Sequence, residues 1–162
     1  MTISQGDKLP EATLLRLGEK GPEAVSTTAL TAGRKVVIFA VPGAYTPTCS
    51  VSHVPSFIRT KSGFDAKGVD EIVCVSVNDP FVMKAWGEAT GATAAGISML
   101  SDGAGEFTKA IGLSFDAAGA GLLGRSKRYA MYVVDGRVEK LHLEESPGAC
   151  EISGGEALLA EI

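Results

Sequence analysis

Two apolar runs rich in β-branched residues dominate the hydrophobic pattern of the chain. Lys35-Val-Val-Ile-Phe-Ala-Val41 and Glu71-Ile-Val-Cys-Val-Ser-Val77 lack polar alternation, so each reads as a strand buried on both faces of a sheet. Between them the period changes. Thr46 suits an N-cap, Pro47 the first helical position, and Val51, Val54, Phe57 and Ile58 recur at helical spacing through Ser62, with Pro55 expected to kink the helix. A strand, a helix of this length and a second buried strand require a right-handed crossover and a parallel pair. Asn78-Asp79-Pro80 stops the second strand and opens another helix, Pro80 to Thr90, with an apolar stripe of Phe81, Val82, Ala85 and Trp86.

The flanking segments add shorter elements. Residues 1–34 are polar and broken, and alternation around Ala12, Leu14 and Leu17 fits an edge hairpin before a Thr/Ala-rich turn. Ile97 to Leu100 reads as a short strand and Glu106 to Ile111 as a helix, followed by a Gly-rich loop. Arg128 to Val134 and Arg137 to Leu143 form a hairpin about Asp135-Gly136, a pair suited to the positive φ angles of a tight turn. Glu156 to Ile162 closes the chain as a helix. The sum is one α/β domain over residues 1–162, with a central mixed β-sheet flanked by helices.

Composition narrows the function classes. Fifteen Lys and Arg against nineteen Asp and Glu give a net charge of −4, which argues against nucleic acid or an anionic membrane as partner. No run of about 18 apolar residues occurs, and the N-terminus carries no signal or transit pattern, so a cytoplasmic location is expected. Three cysteines are too few for a disulfide scaffold, and their odd number leaves at least one thiol free.

Cys49 is the thiol to examine. With Thr46 as N-cap it falls in the first turn of a helix, where free amide N–H groups and the positive end of the dipole favour a thiolate, the reactive form of cysteine. A buried small hydrophobe at a helix start is the alternative. His53, four residues on, shares its helix face, which raises a Cys–His pair or half a metal site. Zinc would need further ligands at close spacing, and none follow, so a hydrogen-bonding structural role for His53 is expected.

The string VPGAYTPTCSVSHVPSF, with Pro42-x-x-x-Thr46-x-x-Cys49 inside it, resembles the active-site motif of peroxiredoxins. VCVSVNDPFVMKAWG and RSKRYAMYVVDG, in the same order, are similar to the type II or atypical two-cysteine branch. The resemblance implies a thioredoxin-like fold and thiol-dependent reduction of hydrogen peroxide and organic hydroperoxides, without metal, haem or flavin. It makes Cys49 the peroxidatic nucleophile, Thr46 a hydroxyl donor to thiolate and peroxide, Pro42 a shield of the pocket and Arg128 the partner arginine. Arg128 would hold negative charge on sulfur and on the leaving oxygen. Thr48 and Tyr45 are candidate substrate contacts, and Tyr45 stands where the family usually has Phe. Arg125 and Lys127 are expected to form a solvated cluster.

Two cysteines compete as the resolving thiol. Plant-like members of the branch carry theirs near Cys74, which here lies mid-strand, and animal-like members near Cys150, which lies in a loop before the last helix. Glutathione with glutaredoxin, or thioredoxin, is the implied reductant. A homodimer paired through loops around the active site, with Tyr45 and Phe81 in apolar contact, is also implied. A disulfide oxidoreductase would need C-x-x-C, which is absent around Cys49, and a phosphate-binding loop has no G-x-x-x-x-G-K-[ST] to build it. A redox sensor or chaperone switched by Cys49 oxidation is the remaining alternative.

Overall fold

The computed structural model describes residues 2–162. Both apolar runs are strands, β3 (Lys35–Ala40) and β4 (Glu71–Ser76), pairing in parallel with Phe39 opposite Cys74. They lie inside a seven-stranded sheet of order β2-β1-β5-β4-β3-β8-β9, where β1 is Thr13–Gly18, β2 Gly21–Ser26, β5 Ser98–Ser101, β8 Tyr129–Val134 and β9 Arg137–Leu143. β4 and β5 are parallel, and β8 runs antiparallel to β3, so the sheet is mixed. The β8–β9 turn places Asp135 at φ +48° and Gly136 at φ +77°, the left-handed pair that tight hairpins need.

Because side chains alternate along a strand, β3 serves two cores. Val36, Ile38 and Ala40 face one layer with Val73, Val75, Phe107 and Ile111, whereas Val37, Phe39 and Val41 face the other with Ile72, Cys74, Phe57, Trp86 and Leu158. The second layer is covered by α2 (Val54–Ala66), α3 (Pro80–Thr90) and α5 (Gly155–Leu159). Phe57 anchors it, stacked on Phe39 at 4.1 Å between ring centroids.

Several expectations change. The Thr/Ala-rich turn is a short helix, α1 (Thr27–Thr31), capped by the Ser26 side chain. The Gly-rich loop contains a separate hairpin, β6 (Ser114–Ala117) and β7 (Leu122–Ser126), whose strands of four and five residues, the second interrupted by Gly124, have little periodicity to read. α4 covers Glu106–Ala110. On α3 the buried positions are Pro80, Met83, Trp86 and Gly87, spaced by about one helical turn, so of the expected stripe only Trp86 is buried, and Phe81 is 60% exposed. Val51 also faces solvent, for a reason found in the active-site turn.

Candidate active site

The chain leaves β3 at Val41 and turns through Pro42 and Gly43. Val41 still pairs with Val75 through its N–H, and the Ser76 hydroxyl lies 3.2 Å from the Val41 carbonyl. Asn78, from the end of β4, accepts the Ala44 N–H at 3.0 Å and fixes the loop from the other side. Tyr45 occupies the left-handed region at φ +64° and is largely exposed. The Pro42 carbonyl accepts from Arg125 Nη1 at 3.3 Å, so Arg125 supports this loop instead of belonging to a solvated cluster.

Helical backbone begins at Pro47 as the sequence predicts, and Ser50 N–H donates to the Thr46 carbonyl at 3.0 Å. The turn that follows is wider than an α-turn. Cys49–His53 is π-helical, with Val54 N–H donating to the Cys49 carbonyl five residues back. The cause is Pro55, which offers no N–H and whose ring clashes with the carbonyl four residues earlier in an α-helix. The expected kink is therefore a wide turn. Its extra residue brings Cys49 and His53 both inward, fully buried, and turns Val51 out to 75% exposure.

Thr46 does not cap the helix with its side chain. Its hydroxyl lies 2.8 Å from Cys49 Sγ and 2.7 Å from the Gly43 carbonyl. One hydroxyl carries one proton, so the two contacts describe two states. With the thiol protonated, S–H donates to Oγ1, which donates to Gly43; with sulfur ionised, the hydroxyl proton turns to sulfur.

Arg128, just before β8, completes the cluster. Only 2% of it is exposed. Nη2 donates to Cys49 Sγ at 3.1 Å and to the Pro147 carbonyl at 3.0 Å, Nε donates to the same carbonyl at 3.1 Å, and Nη1 meets His53 Nδ1 at 3.0 Å. Among the described residues no carboxylate pairs with this buried cation. Cys49 Sγ is the atom in contact that can carry the opposing charge.

His53 is a neutral acceptor in this arrangement. Burial, then the Arg128 charge, push it down to about 3, against the opposing effect of the Ser153 carbonyl. Its Nε2 is 2.9 Å from that carbonyl, which requires the proton on Nε2 and leaves the Nδ1 lone pair for Arg128. His53 thus bonds the arginine and not the cysteine.

Thr48 donates to the Gly148 carbonyl at 3.0 Å, tying the turn to the 144–154 segment. That segment carries Cys150, half-buried on a cleft of about 260 Å³ shared with Val51, Ser52 and Arg59. Burial raises the Cys150 thiol pKa, although the Ser153 hydroxyl and Arg128 work in the opposite direction. Cys74 is fully buried in β4, and burial, with Cys49 adding to it, holds its thiol protonated. All three cysteines are free. Sequence reading missed Arg125 and the carbonyls of Pro147, Gly148 and Ser153; the last three are backbone groups, which no side-chain pattern marks.

The Redoxin family pattern matches residues 4–159. The chain is 51% identical over 165 residues to the chloroplastic peroxiredoxin-2E-2 of Oryza sativa subsp. japonica, covering 99% of this chain and 73% of that one. Peroxiredoxin-2C of the same plant is 46% identical over 161 residues, covering 99% and 98%. Among solved structures, reduced Prx3 from Vibrio vulnificus in complex with hydrogen peroxide superposes with a TM-score of 0.91 at 52% identity over 98% of each chain. Likeness of this extent, in sequence and in fold, places the chain in the type II peroxiredoxins, thiol peroxidases of the thioredoxin-like superfamily.

Proposed function

We propose that Cys49 is the peroxide-attacking thiol and that the pocket built by Pro42, Thr46 and Arg128 reduces hydrogen peroxide and organic hydroperoxides. The thiolate attacks one peroxide oxygen, the O–O bond breaks, sulfur becomes a sulfenic acid, and the other oxygen leaves as an alkoxide or hydroxide that takes up a proton. The observation that carries this reading is the pair of donors on one buried sulfur, Thr46 Oγ1 at 2.8 Å and Arg128 Nη2 at 3.1 Å. Both hold negative charge at the reacting centre without reorganising, which is where fixed donors are worth most. Of the two candidate substrate contacts, Tyr45 is exposed on the loop before Cys49 and Thr48 is engaged with the Gly148 carbonyl.

For regeneration we favour a small external thiol, glutathione with glutaredoxin ahead of thioredoxin. A disulfide needs Cα atoms within about 7 Å, and Cys74 is locked in a central strand, paired on one side with Phe39 and on the other with Met99. Cys150 borders the active-site turn and is the internal alternative, but its loop is tied down by Thr48 and by Glu144. A glutathione sulfur attacks the sulfenic sulfur and releases water, and a second thiol attacks the mixed disulfide and returns Cys49. Free thiols suit a reducing compartment, and we place the protein in the cytoplasm.

Cys49→Ser is expected to abolish thiol-dependent hydroperoxide turnover with the fold retained, because serine offers no comparable anion. Cys74→Ser and Cys150→Ser are expected to retain turnover with glutathione and glutaredoxin. Parent-level activity in Cys49→Ser refutes the assignment of the nucleophile. Loss of turnover in a folded Cys150→Ser under every reductant moves regeneration to an internal disulfide. Consumption of about one equivalent of peroxide by the parent, despite excess thiol, favours a sensor over an enzyme.

A further inference from the structure

Glu144 is a carboxylate only 7% exposed, with no ion-pair partner among the described residues. An ionised group so buried is costly unless donors surround it. Here four donors converge on one oxygen. Oε2 accepts the N–H groups of Glu151 at 2.9 Å, Ile152 at 3.0 Å and Ser153 at 2.7 Å, and the Ser153 hydroxyl at 2.6 Å. Three successive amides turned onto one anion form a backbone nest. Burial works against ionisation, but the bonds from Ser153, Ile152 and Glu151 outweigh it and hold the carboxyl below its ordinary value.

The location gives the nest a consequence. Glu144 follows β9 directly, and its own N–H donates to the Arg128 carbonyl at 3.0 Å. The segment it draws back carries the Pro147 carbonyl, which receives two N–H groups of the Arg128 guanidinium, and the Ser153 carbonyl, which sets the His53 tautomer. Without those two acceptors the guanidinium keeps His53 as its only neutral partner, and His53 loses the bond that presents Nδ1 to it. Resting on the reading of Cys49 as the peroxide-attacking thiol, we propose that Glu144 is a positioning residue of that reaction. Its carboxylate folds the 144–154 segment so that the Pro147 and Ser153 carbonyls hold Arg128 and His53 in register with the Cys49 sulfur. Glu144 acts through Arg128 and touches neither sulfur nor peroxide.

A double-mutant cycle tests this, with Glu144→Gln, Arg128→Met, the pair and the parent reduced, mixed with hydrogen peroxide and quenched with dimedone. The rate of sulfenic acid formation at Cys49 is read by mass spectrometry. Gln keeps the shape but offers N–H groups and no charge to a nest of donors. Glu144→Gln is expected to slow oxidation about tenfold and Arg128→Met about 100-fold, the scale of losing a misaligned or a removed donor. The double variant should be within about twofold of Arg128→Met, since residues acting as a unit are not additive. A folded Glu144→Gln at the parent rate overturns the proposal, as does an equal fold-loss in both backgrounds. Should Glu144→Gln fail to fold by circular dichroism, Ser153→Ala decides, because it removes one donor from the carboxylate and keeps the carbonyl on His53. About threefold slowing, absent in the Arg128→Met background, supports the role, and the parent rate overturns it. A parent protein that forms no sulfenic acid at Cys49 sinks the peroxidase reading itself, and that outcome is visible without any variant.

Discussion

Around Arg128, the Cys49 sulfur, the His53 imidazole and the Pro147 carbonyl together hold a guanidinium out of water. His53 carries a testable part of it. Unfolded, its ring binds a proton below pH 6.5; folded, it stays neutral down to about 3. The unfolded chain therefore binds more protons across that window. The stability due to the neutral buried ring is fully present above pH 6.5 and is lost as the pH falls, at about 1.4 kcal/mol per unit. Glu11, Glu144 and Glu161 are lowered from 4.5, so their own acid losses begin below the upper part of this window. Urea unfolding at pH 7 and pH 5 should show the parent losing about 2 kcal/mol more than His53→Asn. Equal losses in the two proteins would mean that His53 is charged in the folded state.

Among the elements, the approach of α5 to α2 depends on a missing side chain. Gly155 N–H donates to Ser56 Oγ at 2.9 Å, and a Cβ on Gly155 would sit 2.5 Å from the Ser56 carbonyl oxygen, against backbone that cannot yield cheaply. Ser56 in turn donates to the His53 carbonyl at 2.6 Å, so pressure on α5 reaches the active-site turn. Gly155→Ala is expected to cost about 1–3 kcal/mol by overpacking and to lower the melting temperature. A variant as stable as the parent would show that α5 can shift without cost. β3, β4 and α3 are long, apolar and bounded by Pro, Gly or Asn-Asp, and their limits were legible. The π-turn was not, since a proline within a helix announces a distortion without saying how the backbone absorbs it.

For the whole molecule, three of the exposed apolar side chains stand on elements next to the thiol, with α3 tied to the π-turn by Trp86 Nε1 donating to Ser50 Oγ at 3.0 Å. Tyr45 is 58%, Phe81 60% and Val51 75% exposed, on the loop before Cys49, the first turn of α3 and the π-turn. Asn78 joins the loop to the start of α3 by accepting the Ala44 N–H. Exposed apolar side chains on the elements around a reactive thiol suit a self-complementary interface. The reduced protein is expected to sediment as a homodimer at high micromolar concentration, and Phe81→Asp to shift it toward monomer. A monomeric parent at that concentration would exclude this surface as the dimer contact.

Short-range physics accounts for the parts legible from the residues: the buried strands from apolar runs rich in β-branched residues, their parallel pairing from the length of the crossover, and Cys49 from its place at a helix start beside a recognisable motif. Arg128 was legible only through that motif, because an arginine before a strand has no intrinsic mark. Tertiary structure alone decided the remainder. It gave His53 to Arg128 instead of Cys49, and it set Arg125 on the Pro42 carbonyl. It also brought the Pro147 carbonyl to the guanidinium, the Ser153 carbonyl to His53 and the Glu144 carboxylate to the amides of the 144–154 segment. These partners are 75 to 100 positions apart or act through the backbone. Neither side-chain period nor local spacing encodes where a folded loop will point its carbonyls.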